Sequence, residues 1–452
     1  MTTVITYGTY DVMHYGHIRL LERAKKLGDY LIVGVTADGF DKTRGKINVQ
    51  QSLMERIENV RTTGLADKII VEEYEGQKID DIHRYNVDIF TVGSDWKGHF
   101  DYLKEYCKVV YLDRTQGISS TEIRSENSSL KLGLVGEISI VDKFYKESQY
   151  VNGLEIAGIC TQNESIFEKY NDIIFVTTDY STLLEKCDAV YIVSHPTKHY
   201  EQIKEALNKN IHVLCESPLA LTEKECRELF SIADEKNLTL MDSIKTAYAT
   251  AYARLLLILK GGAIGKTLSI DATCTSLADL DDEKVMKNKW NSITDWGPTA
   301  LLPVFQILGT KWKDVKISSL MLDKFNDFDL FSRISFDYEN AIATLKVGVG
   351  VKSEGELIIS GTQGYIYVPA PWWKTDYFEI RYEDQSKNRR YFYQLDGEGI
   401  RYELVAFLKS IKQQNTYKYI SEDISFNISR IMEEFSENKS KRQIGHILKD
   451  PI

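Results

Sequence analysis

Gly8-Thr9-Tyr10-Asp11-Val12-Met13-His14-Tyr15-Gly16-His17 is the stretch from which the first part of this chain can be read. Ahead of it, Val4-Ile5-Thr6-Tyr7 is an apolar-rich run that reads as a buried strand. Behind it, Ile18, Leu20, Leu21, Ala24 and Leu27 recur at helical spacing and give one apolar face. A strand ends, the chain turns through small and polar residues, and a helix begins with His14 and His17 at its mouth. Backbone N–H groups without partners at a helix start, together with the positive end of the helix dipole, make such a turn a phosphate site. The two imidazoles add donors for charge building on a transferring phosphoryl group, and Gly16 leaves a nucleotide room to approach the backbone. Open α/β sheets bind ligands at a first strand-to-helix turn of this kind. The bland alternative, two histidines decorating a helix start, suits a short motif standing alone; this one does not stand alone.

Residues 1–127 alternate apolar runs with helical stretches. Strands are predicted at Val4–Tyr7, Tyr30–Thr36, Lys68–Glu72, Ile89–Val92 and Val109–Leu112, and helices near 17–28, 50–63, 78–85 and 101–106. That alternation implies a parallel sheet covered on both faces. Three further segments stand out. Phe40-Asp41-Lys42-Thr43-Arg44-Gly45-Lys46 puts cations in a loop off the strand ends. Gly93-Ser94-Asp95-Trp96 closes another strand. In Arg114-Thr115-Gln116-Gly117-Ile118-Ser119-Ser120-Thr121, Ser119 with Glu122 forms a capping box that opens a further helix.

These segments, with Leu20-Leu21-Glu22-Arg23-Ala24-Lys25, closely resemble the cytidylyltransferase family, and within it the glycerol-3-phosphate cytidylyltransferases of teichoic-acid synthesis. The resemblance implies that CTP and a polyol phosphate give a CDP-polyol and pyrophosphate. It assigns His14 and His17 to the α-phosphate, and Lys46 and Arg114 to the departing pyrophosphate, with Arg44 beside Lys46. It assigns Gly8, Thr9, Tyr10, Gly16, Asp95, Thr115, Gly117, Ile118, Ser119 and Thr121 to the nucleotide. Mg²⁺ would enter on the CTP phosphates, with no metal-binding residues of the protein's own. Glycerol 3-phosphate is the acceptor nearest by family. Arg44, Gly64 and Tyr74 fall where the glycerol enzyme has other residue types, so glycerol 2-phosphate or a longer alditol phosphate stays open.

A chain of 452 residues calls for two or three domains. With 43% hydrophobic and 27% charged residues it has a globular composition, and a net charge of -10 argues against nucleic acid as a partner. Met1-Thr2-Thr3-Val4 has no basic n-region, and no apolar run approaches the ~18 residues of a membrane span, so a cytoplasmic protein is expected. Cys107, Cys160, Cys187, Cys215, Cys226 and Cys274 are scattered and read as reduced core thiols.

After a polar linker, Asn127-Ser128-Ser129, a second alternation begins with strands at Lys131–Val135, Leu154–Cys160, Ala189–Val193 and His212–Leu214. Asp188–Val193, Thr197–Tyr200, His212–Ala220 and Gly397–Glu403 resemble the glucose–fructose oxidoreductase/inositol dehydrogenase family (Gfo/Idh/MocA). The implied architecture is α/β throughout: an N-terminal Rossmann-like nucleotidyltransferase domain (1–127), a second Rossmann domain (130–250), and an α/β domain with a large open sheet (251–452), a face often used to form homo-oligomers. Strands at Ala341–Val347 and Glu356–Ile359 fit that sheet.

The family's chemistry is not matched residue for residue. Glu137-Ile138-Ser139 follows Gly133-Leu134-Val135-Gly136 where later glycines are needed, and Thr161-Gln162-Asn163 offers no acid for a ribose. The family's Glu-Lys-Pro is Glu216-Ser217-Pro218, and its Asp-x-Gly-x-His-x-x-Asp aligns with Asp295-Trp296-Gly297-Pro298-Thr299-Ala300-Leu301-Leu302. The expectation is a retained fold without NAD(P)-dependent hydride transfer, in which His195 and His199 are structural. Two rivals are a bifunctional enzyme that reduces a keto-sugar phosphate with NAD(P)H before cytidylyl transfer, and a second half that serves binding or assembly alone.

Overall fold

A computed structural model describes residues 1–11, 13, 15–37, 51–74, 76–113, 129–137, 140–151, 153–172, 174–278, 289–322, 328–393, 395, 397–412, 419–437 and 441–447, with backbone alone at 15, 95 and 441–447. The chain folds as two compact units, Met1–Ser129 and Leu130–Ile452.

In the first unit the strands are β1 (Thr3–Gly8), β2 (Tyr30–Thr36), β3 (Lys68–Glu72), β4 (Ile89–Gly93) and β5 (Lys108–Leu112). They form one parallel sheet in the order β3-β2-β1-β4-β5. Helices α1 (Tyr15–Lys25), α2 (Leu53–Thr62) and α3 (Gln77–Tyr85) connect them. The central strand is buried on both faces, which is why it reads as continuous apolar sequence. Val4 packs with Leu21, Ala24, Ile57 and Val60 on one side, and Ile5 and Tyr7 with Ile32, Ile82 and Phe90 on the other. Helix α2 opens with a complete capping box between Ser52 and Glu55. One expected helix differs: Asp101–Glu105 is a 3-10 turn. Phe100 and Leu103 are both buried there, and a 3-10 winding puts residues three apart on one line.

The second unit starts with a six-stranded parallel sheet: β6 (Leu130–Gly136), β7 (Leu154–Cys160), β8 (Val176–Thr177), β9 (Ala189–Val193), β10 (His212–Glu216) and β11 (Leu240–Ser243), in the order β11-β10-β9-β6-β7-β8. Its helices are α4 (Ile140–Ser148), α5 (Glu164–Tyr170), α6 (Tyr180–Leu184), α7 (His199–Asn208), α8 (Glu223–Glu235) and α9 (Thr250–Lys260). A nine-stranded mixed sheet follows, built from β12 (Thr267–Thr275), β13 (Asp314–Leu322), β14 (Asp329–Asp337), β15 (Ile342–Gly348), β16 (Leu357–Gly361), β17 (Tyr365–Val368), β18 (Tyr377–Arg381), β19 (Arg389–Phe392) and β20 (Lys441–Ile447). Helix α10 (Ser292–Leu308) supplies Ile293, Leu301, Val304 and Phe305 to the core of this sheet. Helices α11 (Ile400–Lys412) and α12 (Glu422–Ser436) close the chain's helical part. Ile400, Leu404 and Phe407 of α11 pack with Val141 and Phe144 of α4, so a helix late in the chain completes the core of the parallel sheet.

The six cysteines are free thiols, four of them buried. Among the described residues no helix is long and apolar enough to cross a membrane.

Candidate functional site

The end of β1 sits where the sheet's connections diverge to either side, between β2 and β4. The turn that leaves it is held from below. Arg56, on α2, has no exposed surface; its Nη1 donates to the carbonyl oxygens of Thr9 (2.7 Å) and Thr36 (2.8 Å), and its Nε to that of Gln51 (3.1 Å). Asp11, also buried, accepts from the Gln51 backbone N–H at 2.9 Å. One guanidinium and one carboxylate thus clasp the ends of β1 and β2 and the start of α2. Asp11 lies within the Gly8–His17 stretch without a role assigned to it there, and Arg56 stands in none of the phosphate motifs read from the sequence. The only sequence signal for Arg56 is a cation on the apolar side of a predicted helix, beside Ile57 and Val60.

Tyr10 takes a left-handed backbone conformation, φ 52°, which costs a non-glycine residue roughly 1–2 kcal/mol. In return its ring turns inward, 1% exposed, and meets the edge of the His17 ring at 5.7 Å. Burial raises its hydroxyl above the usual phenol range. His17 stands in the first turn of α1, backed by that ring. Gly8 must stay small, since a Cβ there would meet the Tyr10 ring at 3.0 Å.

Gly8, Thr9, Tyr10, Gly16 and His17 are therefore gathered around one turn. His14, Lys46, Arg114, Thr115, Gly117, Ile118, Ser119 and Thr121 lie outside the described residues, as does the side chain of Asp95 in the 3-10 turn Ser94–Trp96. The second helix mouth expected at Ser119 is likewise outside them.

A small pocket of about 50 Å³ opens beside the turn. Its lining divides by chemistry. Thr9, Thr36, Glu72 and Lys78 are polar; Tyr7, Phe90, Val92, Trp96 and Phe100 make an apolar wall, with Gly8 between. Glu72 and Lys78 form a buried ion pair, and Glu72 also accepts from the Thr36 hydroxyl at 2.9 Å. The Lys78 ammonium lies over the rings of Tyr7 (4.6 Å) and Phe100 (5.4 Å). Tyr7 donates its hydroxyl to Asp81 at 2.9 Å; burial, then the Asp81 charge, push that phenol far above its ordinary value, so it remains a donor.

In the second unit, the turn after β6 carries Glu137, paired with Lys198 at 3.2 Å. Asn163 caps α5 and donates to the Glu137 carbonyl oxygen at 2.9 Å. A carboxylate already matched to an ammonium occupies the place where a dinucleotide pyrophosphate would meet backbone N–H groups. His199 is fully buried, with Nδ1 2.8 Å from the Pro218 carbonyl oxygen and Nε2 2.8 Å from that of Ser194. Burial outweighs those acceptors and takes it down to about 4; as a neutral ring it donates to one of the two carbonyls. His195 caps the 3-10 turn Pro196–Lys198. At the far ends of β10 and β11, Glu216 accepts from the Tyr191 hydroxyl at 2.6 Å and Asp242 from the Ser425 hydroxyl at 2.8 Å. Burial pushes Asp242 up to about 7 and raises the Glu403 carboxyl well above its usual range. Among the described residues no group of three or more His, Cys, Asp or Glu is placed to hold a metal ion.

Residues 5–126 match the family model "Cytidylyltransferase-like", and residues 130–243 match "Oxidoreductase family, NAD-binding Rossmann fold". The glycerol-3-phosphate cytidylyltransferase of Bacillus spizizenii is 51% identical over 130 residues, 29% of this chain and 100% of that protein. Its counterpart in Staphylococcus aureus is 48% identical over 130 residues, 28% of this chain and 95% of that protein. The scyllo-inositol 2-dehydrogenase (NADP(+)) of Bacillus subtilis is 24% identical over 340 residues, 70% of this chain and 97% of that protein. Among solved structures, the 3-ketoreductase KijD10 from Actinomadura kijaniata, in complex with NADP and TDP-benzene, covers 70% of this chain and 99% of its own at a TM-score of 0.61 and 17% identity. That likeness concerns the fold.

Proposed function

The chain belongs to the cytidylyltransferase family, as a CTP-dependent nucleotidyltransferase fused to a Gfo/Idh/MocA-family oxidoreductase domain, and from that membership we propose that it transfers a cytidylyl group to glycerol 3-phosphate or a similar polyol phosphate. The observation that carries this reading is the full-length match of a glycerol-3-phosphate cytidylyltransferase to the unit holding the Gly8–His17 turn.

In this reaction an acceptor phosphate oxygen attacks the α-phosphorus of CTP, the new P–O bond forms as the α–β bridge breaks, and pyrophosphate leaves. The attacking oxygen is already ionised at neutral pH, so no general base is needed and catalysis is positioning plus charge stabilisation. His14 and His17 take the role of steadying the α-phosphate as it becomes five-coordinate. Lys46 and Arg114 hold the leaving pyrophosphate, and Thr115, Gly117, Ile118, Ser119, Thr121 and Asp95 complete the nucleotide site. The described residues offer no cage for a metal of the protein's own; Mg²⁺ is proposed to arrive on the triphosphate, and no step above depends on it.

For the second unit we propose a supporting role, bracing or pairing the transferase, without hydride transfer. Support comes from the Glu137–Lys198 pair at the first turn and from Ser217 where the family carries lysine. NAD(P) is not proposed as a cofactor, since Glu137 would face its pyrophosphate. The test is pyrophosphate release from CTP with a panel of polyol phosphates, run with and without NAD(P)H and keto-sugar phosphates. Turnover with a polyol phosphate and a flat nicotinamide absorbance are expected. No turnover with any polyol phosphate overturns the first proposal, and nicotinamide oxidation tied to a keto-sugar phosphate overturns the second.

A further inference from the structure

We infer that the buried Glu72–Lys78 pair is the acceptor reader of the first unit, selecting a neutral, hydroxyl-bearing acceptor tail and rejecting an ammonium-bearing one. The inference rests on the transferase reading above and goes beyond it, since neither residue belongs to a phosphate motif.

The placement comes first. Gly8 and Thr9 belong both to the turn leading into α1 and to the pocket lining, so a molecule in the pocket adjoins the point where phosphoryl transfer is assigned. Its polar half gathers side chains from three neighbouring elements: Thr36 at the end of β2, Glu72 at the end of β3 and Lys78 on α3. The opposite wall, with Trp96 and Phe100, is aromatic.

The chemistry follows from donor and acceptor counts. A hydroxyl both donates and accepts, so a carboxylate beside an ammonium meets it on both sides: Glu72 accepts its proton and Lys78 donates to its oxygen. An amino-alcohol tail carries donors and a positive charge only, and it would be placed against Lys78. Lys78 is held in its charged form's preferred setting, between Glu72 and the faces of Tyr7 and Phe100. Glu72 is held in turn by the Thr36 hydroxyl. Without Lys78 the same pocket becomes a carboxylate walled by aromatic rings, which is the chemistry that binds an ammonium group.

A structural ion pair tying α3 to β3 predicts something else: replacing Lys78 would weaken the fold without changing the choice of acceptor. The experiment therefore reads selectivity. Full-length wild type, Lys78→Met, Glu72→Gln and the double variant Glu72→Gln/Lys78→Met are assayed for pyrophosphate release from CTP with glycerol 3-phosphate and with ethanolamine phosphate. Wild type is expected to favour glycerol 3-phosphate by about 100-fold or more in kcat/KM. Lys78→Met should narrow that preference by about tenfold or more, with KM for CTP held within about threefold. Glu72→Gln should weaken glycerol 3-phosphate without any gain for ethanolamine phosphate. The double variant leaves no orphaned buried charge, so it reports on acceptor selection if a single variant folds poorly. An unchanged preference in Lys78→Met and the double variant, or equal losses for both acceptors and CTP, overturns the inference. Should wild type turn over neither acceptor, the transferase proposal is judged on the panel of polyol phosphates above. Calorimetric titration of glycerol 3-phosphate into wild type and the double variant then decides this one, with equal affinity overturning it and loss in the variant supporting it.

Discussion

Replacing Arg56 tests whether the turn after β1 is held by its neighbours or holds itself. The guanidinium is fully buried and serves the carbonyl oxygens of Thr9, Thr36 and Gln51 at 2.7, 2.8 and 3.1 Å. Each buried acceptor left without a donor costs about 1–3 kcal/mol. Arg56→Met, losing the buried bond to Thr36 and the half-buried ones to Thr9 and Gln51, should therefore cost roughly 3–5 kcal/mol, a large share of the stability of a domain this size. Arg56→Lys is the more informative change: an ammonium keeps the charge and reaches one or two of the three carbonyls, so about 2–4 kcal/mol is lost and the unit stays folded. The ends of β1 and β2 would no longer be fixed to the start of α2. A displacement of about 1 Å at the reacting centre costs on the order of 100-fold in rate, so kcat/KM for CTP should fall about 10- to 100-fold. Hydrogen exchange by mass spectrometry on the full chain checks the cause, with faster exchange expected in peptides spanning Thr3–Gly8 and Tyr30–Thr36 and none in the second unit. An Arg56→Lys protein with wild-type exchange and wild-type turnover would refute the clasp.

Three other changes separate roles. His17→Ala should lower kcat by about 100- to 1,000-fold with KM for CTP within about threefold; a change confined to KM would make the ring a binding group. Gly34→Ala would put a Cβ 2.2 Å from the Tyr7 ring, which Asp81 holds by its hydroxyl. A loss of about 1–3 kcal/mol in thermal melting and a raised acceptor KM are expected, and a neutral melt would show that the ring can yield. Asp242, pushed up to about 7, keeps its proton in the fold but sheds it in the unfolded chain above about 4, so the second unit loses stability as pH rises from about 4 to 7. His199, taken down to about 4, acts oppositely, losing stability as pH falls from 6.5 toward 4. The two windows overlap and their slopes oppose, so Asp242→Asn should make the urea midpoint rise more steeply with pH between about 4 and 6.5; a slope no steeper than wild type's would rule out Asp242 as the opposing group.

Four strands, Tyr30–Thr36, Lys68–Glu72, Leu154–Cys160 and Ala189–Val193, begin and end where the pattern predicts; burial on both faces makes the first and last continuous apolar runs. The strand-to-helix turn at Gly8–His17 was legible because a continuous apolar run precedes it and an apolar helical face follows it. The clasp and the pocket were not. Arg56, Asp11, Glu72 and Lys78 act through partners 40, 47 or 36 residues away, or across a turn of six, and nothing in local spacing marks a charge as buried and paired. The segment at 101–106 was misread for a related reason: two buried residues three apart fit a helix and a 3-10 turn equally well until the length is known.

The two parallel sheets of this chain put ionisable groups at the same kind of place, the C-terminal ends of their strands, and use them differently. In the first unit Glu72 and Lys78 neutralise each other at the wall of a pocket. In the second, Glu137 pairs with Lys198 across the very turn a dinucleotide would need, and Glu216 is engaged by Tyr191. A carboxylate facing the pyrophosphate path repels it, and separating the pair would leave an ammonium and a carboxylate to be rehydrated. Lys198→Ala should therefore make nicotinamide dinucleotide binding no better, because Glu137 then stands unpaired. Glu137→Gly, which removes the repulsion and shortens the side chain to what a glycine-rich turn requires, is the substitution expected to restore it. Equilibrium titration with NADPH checks this: binding by wild type as tight as by Glu137→Gly would remove the physical ground for reading the second sheet as a scaffold.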